Sequence, residues 1–119
     1  MRYILMFAGT MDENDMADKP AQAELVASYE RVGRWFDEHT KSGKIVGGEE
    51  LRGPSTATTV RFQNGKTIVT DGPFIEAKEV VGGFAIVDVK DLDEALALAK
   101  SWPGGIAVEV RPLVDRSAH

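Results

Sequence analysis

The sequence predicts an α+β domain in the order β-α-β-(β-hairpin)-β-α-β, with an antiparallel sheet and two helices on one of its faces. Three observations predict it. The runs at 2–8 and 82–89 are apolar on both alternating faces, as strands at the centre of a covered sheet are. Two other stretches, from 20 to 42 and from 92 to 102, carry their apolar residues at helical spacing. Between them, "TATTVRFQ" and "KTIVTDG" flank Asn64-Gly65, the pair that a type I′ hairpin prefers. Together these make a split βαβ pattern with a hairpin inserted in its middle.

The elements follow in order. In "RYILMFA" (2–8), Tyr3, Leu5 and Phe7 point to one face and Ile4, Met6 and Ala8 to the other. "GTMDENDMADK" (9–19) is polar and acidic and reads as a loop. Pro20 suits the first turn of a helix. Leu25, Tyr29, Val32 and Phe36 then build one apolar stripe, flanked by Trp35, and Gly43 ends the helix as a cap. "KIVGGEEL" (44–51) is a second strand whose glycine pair predicts a bulge or an edge kink. After the hairpin comes the strand "GGFAIVDV" (82–89). Asp91 and Glu94 form an aspartate version of the capping box. Leu92, Ala95, Leu96, Ala99 and Trp102 make the second helical stripe, which Pro103 ends. In the last strand, "IAVEVRPLV" (106–114), Ile106, Val108, Val110 and Val114 share a face opposite Ala107, Glu109, Arg111 and Leu113. One domain spans 1–115, and 116–119 is a tail.

Two helices cover one face of such a sheet, yet two strands are apolar on both. A second copy of the chain, packed sheet against sheet, is the expected cover, so a homodimer is predicted. The alternative is that the inserted hairpin folds back over that face.

Bulk properties exclude several classes. An apolar fraction of 43% over 119 residues supports one real core and argues against disorder. A net charge of −5 argues against nucleic-acid binding, which needs a basic face. Without cysteine there is no disulfide, thiolate nucleophile or cysteine-ligated metal. The N-terminus is apolar only from Tyr3 to Ala8, too short for a signal-peptide core or a membrane span, so a cytoplasmic location is expected. The only histidines are His39 and His119, too few for a zinc site, and "DENDMAD" lacks the calcium-loop glycine and terminal glutamate. "VGG" (81–83) and "PGG" (103–105) do not resemble phosphate loops. No metal and no cofactor are expected.

Candidate chemistry gathers around "TDGPFIEAKEVVGG" (70–83). Asp71 can serve as a general base or ligand anchor, or as a turn residue bonded to nearby amides. Pro73 biases Gly72 toward an extended backbone. Glu76, Lys78 and Glu79 are either a solvated face or charges held in an inter-subunit cleft, with Lys78 pairing Asp71 or an anionic ligand. Arg111 and Glu109 share a strand face, as a salt bridge or as an arginine fork for an anion; Arg61 on the hairpin carries the same ambiguity. His39 continues the first helix's stripe into its last turn, where it suits the helix dipole or a ligand.

The run "DGPFIEAKEVVGGFAIVDV" resembles the DGPF-type branch of the YCII-related family. The likeness extends through "GKIVGGEELRG", "TTVRFQNGKTIVTDGPF", "LDEALALAKSWP" and "VEVRP", covering about residues 1–115. It implies a ferredoxin-like domain of the dimeric α/β-barrel type. The wider family is associated with a His-Asp pair, whose positions fall near Val32 and near Ser101 or Trp102. Neither residue type stands there, so that mechanism is not carried over. Two readings result. The first is a homodimer binding a small molecule in a cleft near the DGPF loop, with weak acid/base catalysis by Asp71 and with Glu76, Lys78, Arg111 and His39 as ligand contacts. The alternative is a non-catalytic accessory domain that binds another protein. Members of this branch resemble proteins encoded beside alternative sigma factors, which links that reading to transcription control.

Overall fold

The computed structural model describes residues 1–10, 23–74 and 79–117. Residues 11–19 of the acidic loop and Pro20 lie outside these residues, as do Glu76, Lys78 and His119, while Gly9 and Thr10, read as loop, extend the first strand. The elements are β1 (Arg2–Thr10), α1 (Ala23–Lys41), β2 (Ile45–Glu50), β3 (Thr58–Gln63), β4 (Lys66–Asp71), β5 (Glu79–Asp88), α2 (Leu92–Lys100) and β6 (Ala107–Pro112). Four strands form an antiparallel sheet in the order β2-β5-β1-β6. This is the ferredoxin-like arrangement that the element order predicts.

Register explains the core. Tyr3 stands opposite Val87 and Leu5 opposite Ala85, and β6 sets Val110 beside Leu5 and Val108 beside Phe7. These residues share one face. Leu5 and Val87 are fully buried there, against Trp35 of α1 and Ala95 and Leu98 of α2. Both helices therefore close the same face. The centre of the α1 stripe is Trp35 rather than Tyr29, which stays exposed near the helix start. In α2, Leu98 is buried while Leu92 is exposed, so that stripe is rotated from the sequence reading. Its cap is the expected one: Asp91 accepts from the Glu94 amide at 3.0 Å. The Glu94 carboxylate accepts in return from the Lys90 amide at 3.4 Å, one residue before the cap.

Among the described residues the opposite face is open. Ile4 pairs with Ile86 and Met6 with Phe84, and all four are only half-buried. Glu109 and Arg111 lie on this face beside Met6 and Ile4, hydrogen-bonded to each other. The hairpin does not close it. β3 and β4 form a separate two-stranded sheet in which every residue but Thr59 is exposed. A hairpin packed on the open face would bury one of its own faces. Instead Val60, Phe62 and Val69, on one side of the hairpin, are 50%, 81% and 64% exposed. Its tip is the predicted turn, with Asn64 and Gly65 at φ 51° and 76°, both positive as type I′ requires.

At the hairpin's base the DGPF turn is held from across the strand pair. The Gly72 amide donates to the Ala57 carbonyl at 2.8 Å, and the Thr59 hydroxyl donates to the Gly72 carbonyl at 2.6 Å. The Arg61 guanidinium donates to the Phe74 carbonyl at 2.7 Å. Asp71 makes no side-chain hydrogen bond among the described residues, so it is not what fixes the turn. Gly72 adopts φ 99° rather than the extended backbone expected before Pro73.

The predicted irregularity of β2 falls at Val46, where the register slips between Ile45 and Gly47, just before the glycine pair. Gly48 has φ 149°, and a Cβ there would stand 2.5 Å from the Phe84 carbonyl oxygen. Backbone cannot yield as a flexible side chain can. Gly48→Ala is expected to lower stability by about 2 kcal/mol or more, measured by urea unfolding. Trp35 Nε1 donates to the Ser101 hydroxyl at 2.8 Å, and that hydroxyl donates onward to the Leu98 carbonyl at 2.7 Å. Trp35→Phe keeps an aromatic ring and removes this bond, so a loss of about 1 kcal/mol beyond the smaller ring's packing is expected in the same assay.

Candidate functional site

A cavity of about 570 Å³ opens between α1 and one end of the sheet. Its aromatic side is built by Phe7, Phe36 and Trp102. Phe7 stacks on Trp102 with ring centroids 3.9 Å apart and planes 19° apart. Trp35 meets Trp102 edge to face at 5.1 Å from behind. Val32, Tyr29 and Gly33 supply the helix wall. Gly33 is a helical glycine whose Cβ position is open space, with nothing within 4 Å. The remaining edge comes from Gly82-Gly83 of β5, Gly104-Gly105 after α2, and Glu49 and Glu50 of β2.

The polar groups here are few, as in most small-molecule sites. Glu49 and Glu50 are the charged residues among the described lining, and neither joins an ion pair among the described residues. Ser28 and Tyr29 add hydroxyls. Trp102 Nε1 is buried and has no hydrogen-bond partner, unlike its neighbour Trp35. Buried donors are nearly always paired, so an orphan beside a cavity marks a place where an acceptor is missing. Among the described residues no cluster of His, Asp or Glu is arranged to hold a metal ion. No helix among them is long and apolar enough to cross a membrane.

Of the site residues named from sequence, Asp71, Arg111 and His39 lie outside this cavity and apart from one another. Asp71 is exposed at the end of β4, paired across the hairpin with Thr58. Arg111 is exposed on the open sheet face, bonded to Glu109. His39 is half-buried in the last turn of α1, its ring 5.0 Å from that of Trp35 and nearly perpendicular to it. Glu76 and Lys78 fall outside the described residues. None of Asp71, Arg111 and His39 lines the cavity.

The wider family's His-Asp pair would fall near Val32 and near Ser101 or Trp102; Val32 and Trp102 line this cavity and Ser101 does not. A valine and an indole have no acid/base proton to exchange at neutral pH. The lining residues that can exchange one are Glu49, Glu50 and Tyr29, which the sequence reading passed over. Two signals could have found the site. Gly33 interrupts a helical pattern at a cost of about 1 kcal/mol, which asks for a reason. The Gly47-Gly48 pair delivers two consecutive carboxylates at a strand end.

The comparisons agree with this architecture. The 5-chloro-2-hydroxyhydroquinone dehydrochlorinase (TftG) from Burkholderia phenoliruptrix AC1100, solved in complex with 2,5-dihydroxybenzoquinone, superposes with a TM-score of 0.51 at 15% identity. The match covers 98% of this chain and 97% of that one, and it shows a shared fold. The uncharacterized protein R00369 of Rhizobium meliloti (strain 1021) is 40% identical over 79 residues, 63% of this chain and 64% of that protein. The model of the YCII-related domain matches residues 1–115, and the chain belongs to the YCII-related family.

Proposed function

We propose that the protein is a small homodimeric domain that binds a small molecule in the cavity between α1 and the sheet. The observation that carries this reading is the cavity itself, with its aromatic side, its few polar groups and the unpartnered Trp102 indole. Its volume of about 570 Å³ lies in the range typical of ligand sites. The dehydrochlorinase that shares the fold was solved with a small ring compound, which supports the same class of ligand here. The function includes weak acid/base catalysis only if Glu49, Glu50 or Tyr29 supplies the proton, since Asp71 stands outside the cavity. The reading places the protein in the cytoplasm.

The dimer reading draws on the open sheet face. Ile4, Met6, Phe84 and Ile86 form a contiguous apolar patch at its centre, flanked by the Glu109–Arg111 pair. A two-fold partner offers the same patch in return. A second reading, a non-catalytic domain that binds another protein, is favoured by one observation. The hairpin presents Val60, Phe62 and Val69 on a single exposed side, and an isolated two-stranded hairpin gains stability only when covered.

Two measurements test these readings. Light scattering at micromolar concentration is expected to give twice the chain mass of 13.0 kDa, and Met6→Asp on the open face is expected to give the monomer. A wild-type mass of 13.0 kDa ends the dimer reading. For the cavity, Gly33→Leu fills open space from a helical position, so stability should hold or rise by about 0.5–1 kcal/mol. Aromatic fragments found by saturation-transfer NMR should bind this variant at least about tenfold more weakly. Equal binding to wild type and variant would place the ligand elsewhere.

A further inference from the structure

We infer that the cavity selects an uncharged ring compound bearing a carbonyl or hydroxyl oxygen, that Trp102 Nε1 donates to that oxygen, and that anions are turned away. This rests on the cavity reading above and adds the chemical class of its ligand. The first ground is the indole. Among the described residues, Trp102 Nε1 is the one buried side-chain nitrogen or oxygen left without a partner. Gly104 packs beside it: a Cβ there would stand 3.7 Å from the Val32 side chain and 3.8 Å from Nε1, ordinary contact distances. Gly105 is tighter, since a Cβ there would stand 2.8 Å from the Ala8 carbonyl oxygen and 3.2 Å from Nε1. Val32, Trp102 and Gly104 all line the α1 cavity, so the unpartnered donor belongs to its wall.

The second ground is charge. The cavity's described lining carries Glu49 and Glu50 and no lysine, arginine or histidine. An anion held there would lose hydration and face two carboxylates without a compensating cation. A cationic head beside the indole would meet the positive end of the N–H dipole and gain no hydrogen bond. A neutral acceptor meets neither penalty and satisfies the orphan donor. The aromatic side formed by Phe7, Phe36 and Trp102 supplies the ring contacts.

The test uses ¹⁵N-labelled protein and two probes of matched size, 1-tetralone, which is neutral with a ring carbonyl, and 1-naphthoate, which is an anion. The two tryptophan indole signals are assigned with Trp35→Phe and Trp102→Phe. Tetralone is expected to move the Trp102 indole proton downfield and to bind about tenfold or more tightly than naphthoate. Trp102→Phe, which keeps a ring and removes the donor, should weaken tetralone by about tenfold. The double variant Glu49→Gln, Glu50→Gln should tighten naphthoate and leave tetralone unchanged. Naphthoate binding as tightly as tetralone overturns the inference. So does tetralone moving the Val32 and Gly104 amides while the Trp102 indole stays still; in both cases the cavity remains a binding site. If neither probe moves the Val32 or Gly104 amides at millimolar concentration, the cavity reading falls and this inference with it.

Discussion

Phe7 stacked on Trp102 at 3.9 Å is the contact on which the rest of the molecule depends. Phe7 comes from the middle of β1, and Trp102 from the segment just after α2. Trp35 of α1 meets both rings edge to face, at 5.8 Å and 5.1 Å. Three elements far apart in the chain are therefore tied at one point. Each such ring pair adds about 0.5–1.5 kcal/mol beyond the area it buries. The same cluster makes the aromatic side of the cavity, so the core and the candidate site share residues. The tight turn after Trp102 follows from this. A Cβ on Gly105 would stand 2.8 Å from the Ala8 carbonyl oxygen, so only a glycine lets the chain pass between the indole and β1.

The second organising fact is asymmetry between the two faces of one sheet. Tyr3, Leu5, Ala85 and Val87 are closed under both helices, while Ile4, Met6, Phe84 and Ile86 are left half-covered one residue away. Strand geometry makes this unavoidable, because neighbouring residues point to opposite faces. The inserted hairpin could have closed the second face and does not. It stands as a separate pair of strands with apolar residues of its own exposed. Among the described residues the fold thus ends with two uncovered apolar surfaces.

The element order, the Asn64-Gly65 turn, the Asp91 cap and an irregularity of β2 beside the Gly47-Gly48 pair were all legible in the sequence. Each is a local matter of periodicity, dihedral preference or a side chain reaching an amide a few residues away. The candidate site was not legible in that way. Asp71, Arg111 and His39 attracted attention as charged or titratable residues near turns and strand ends, and they lie on the hairpin, the open face and the end of α1. Charge in a sequence marks chemistry in general, and it does not say which residues converge. The DGPF turn shows the same limit at short range: Asp71 was the evident anchor, but Thr59 and Arg61 hold the turn from the opposite strand.

Sequence alone determined the strands, helices and turns of this protein, and that one face of its sheet would lack a cover, because period and capping are properties of neighbouring residues. Tertiary structure decided where the cavity lies and which tryptophan is left unpaired. Trp35 and Trp102 are indistinguishable as residues, yet one finds the Ser101 hydroxyl and the other is left unpaired beside Gly104 and Val32. That difference depends on distances between segments 72 positions apart, from Val32 to Gly104. Such distances are set when the rings around Phe7 pack, and no local pattern encodes them.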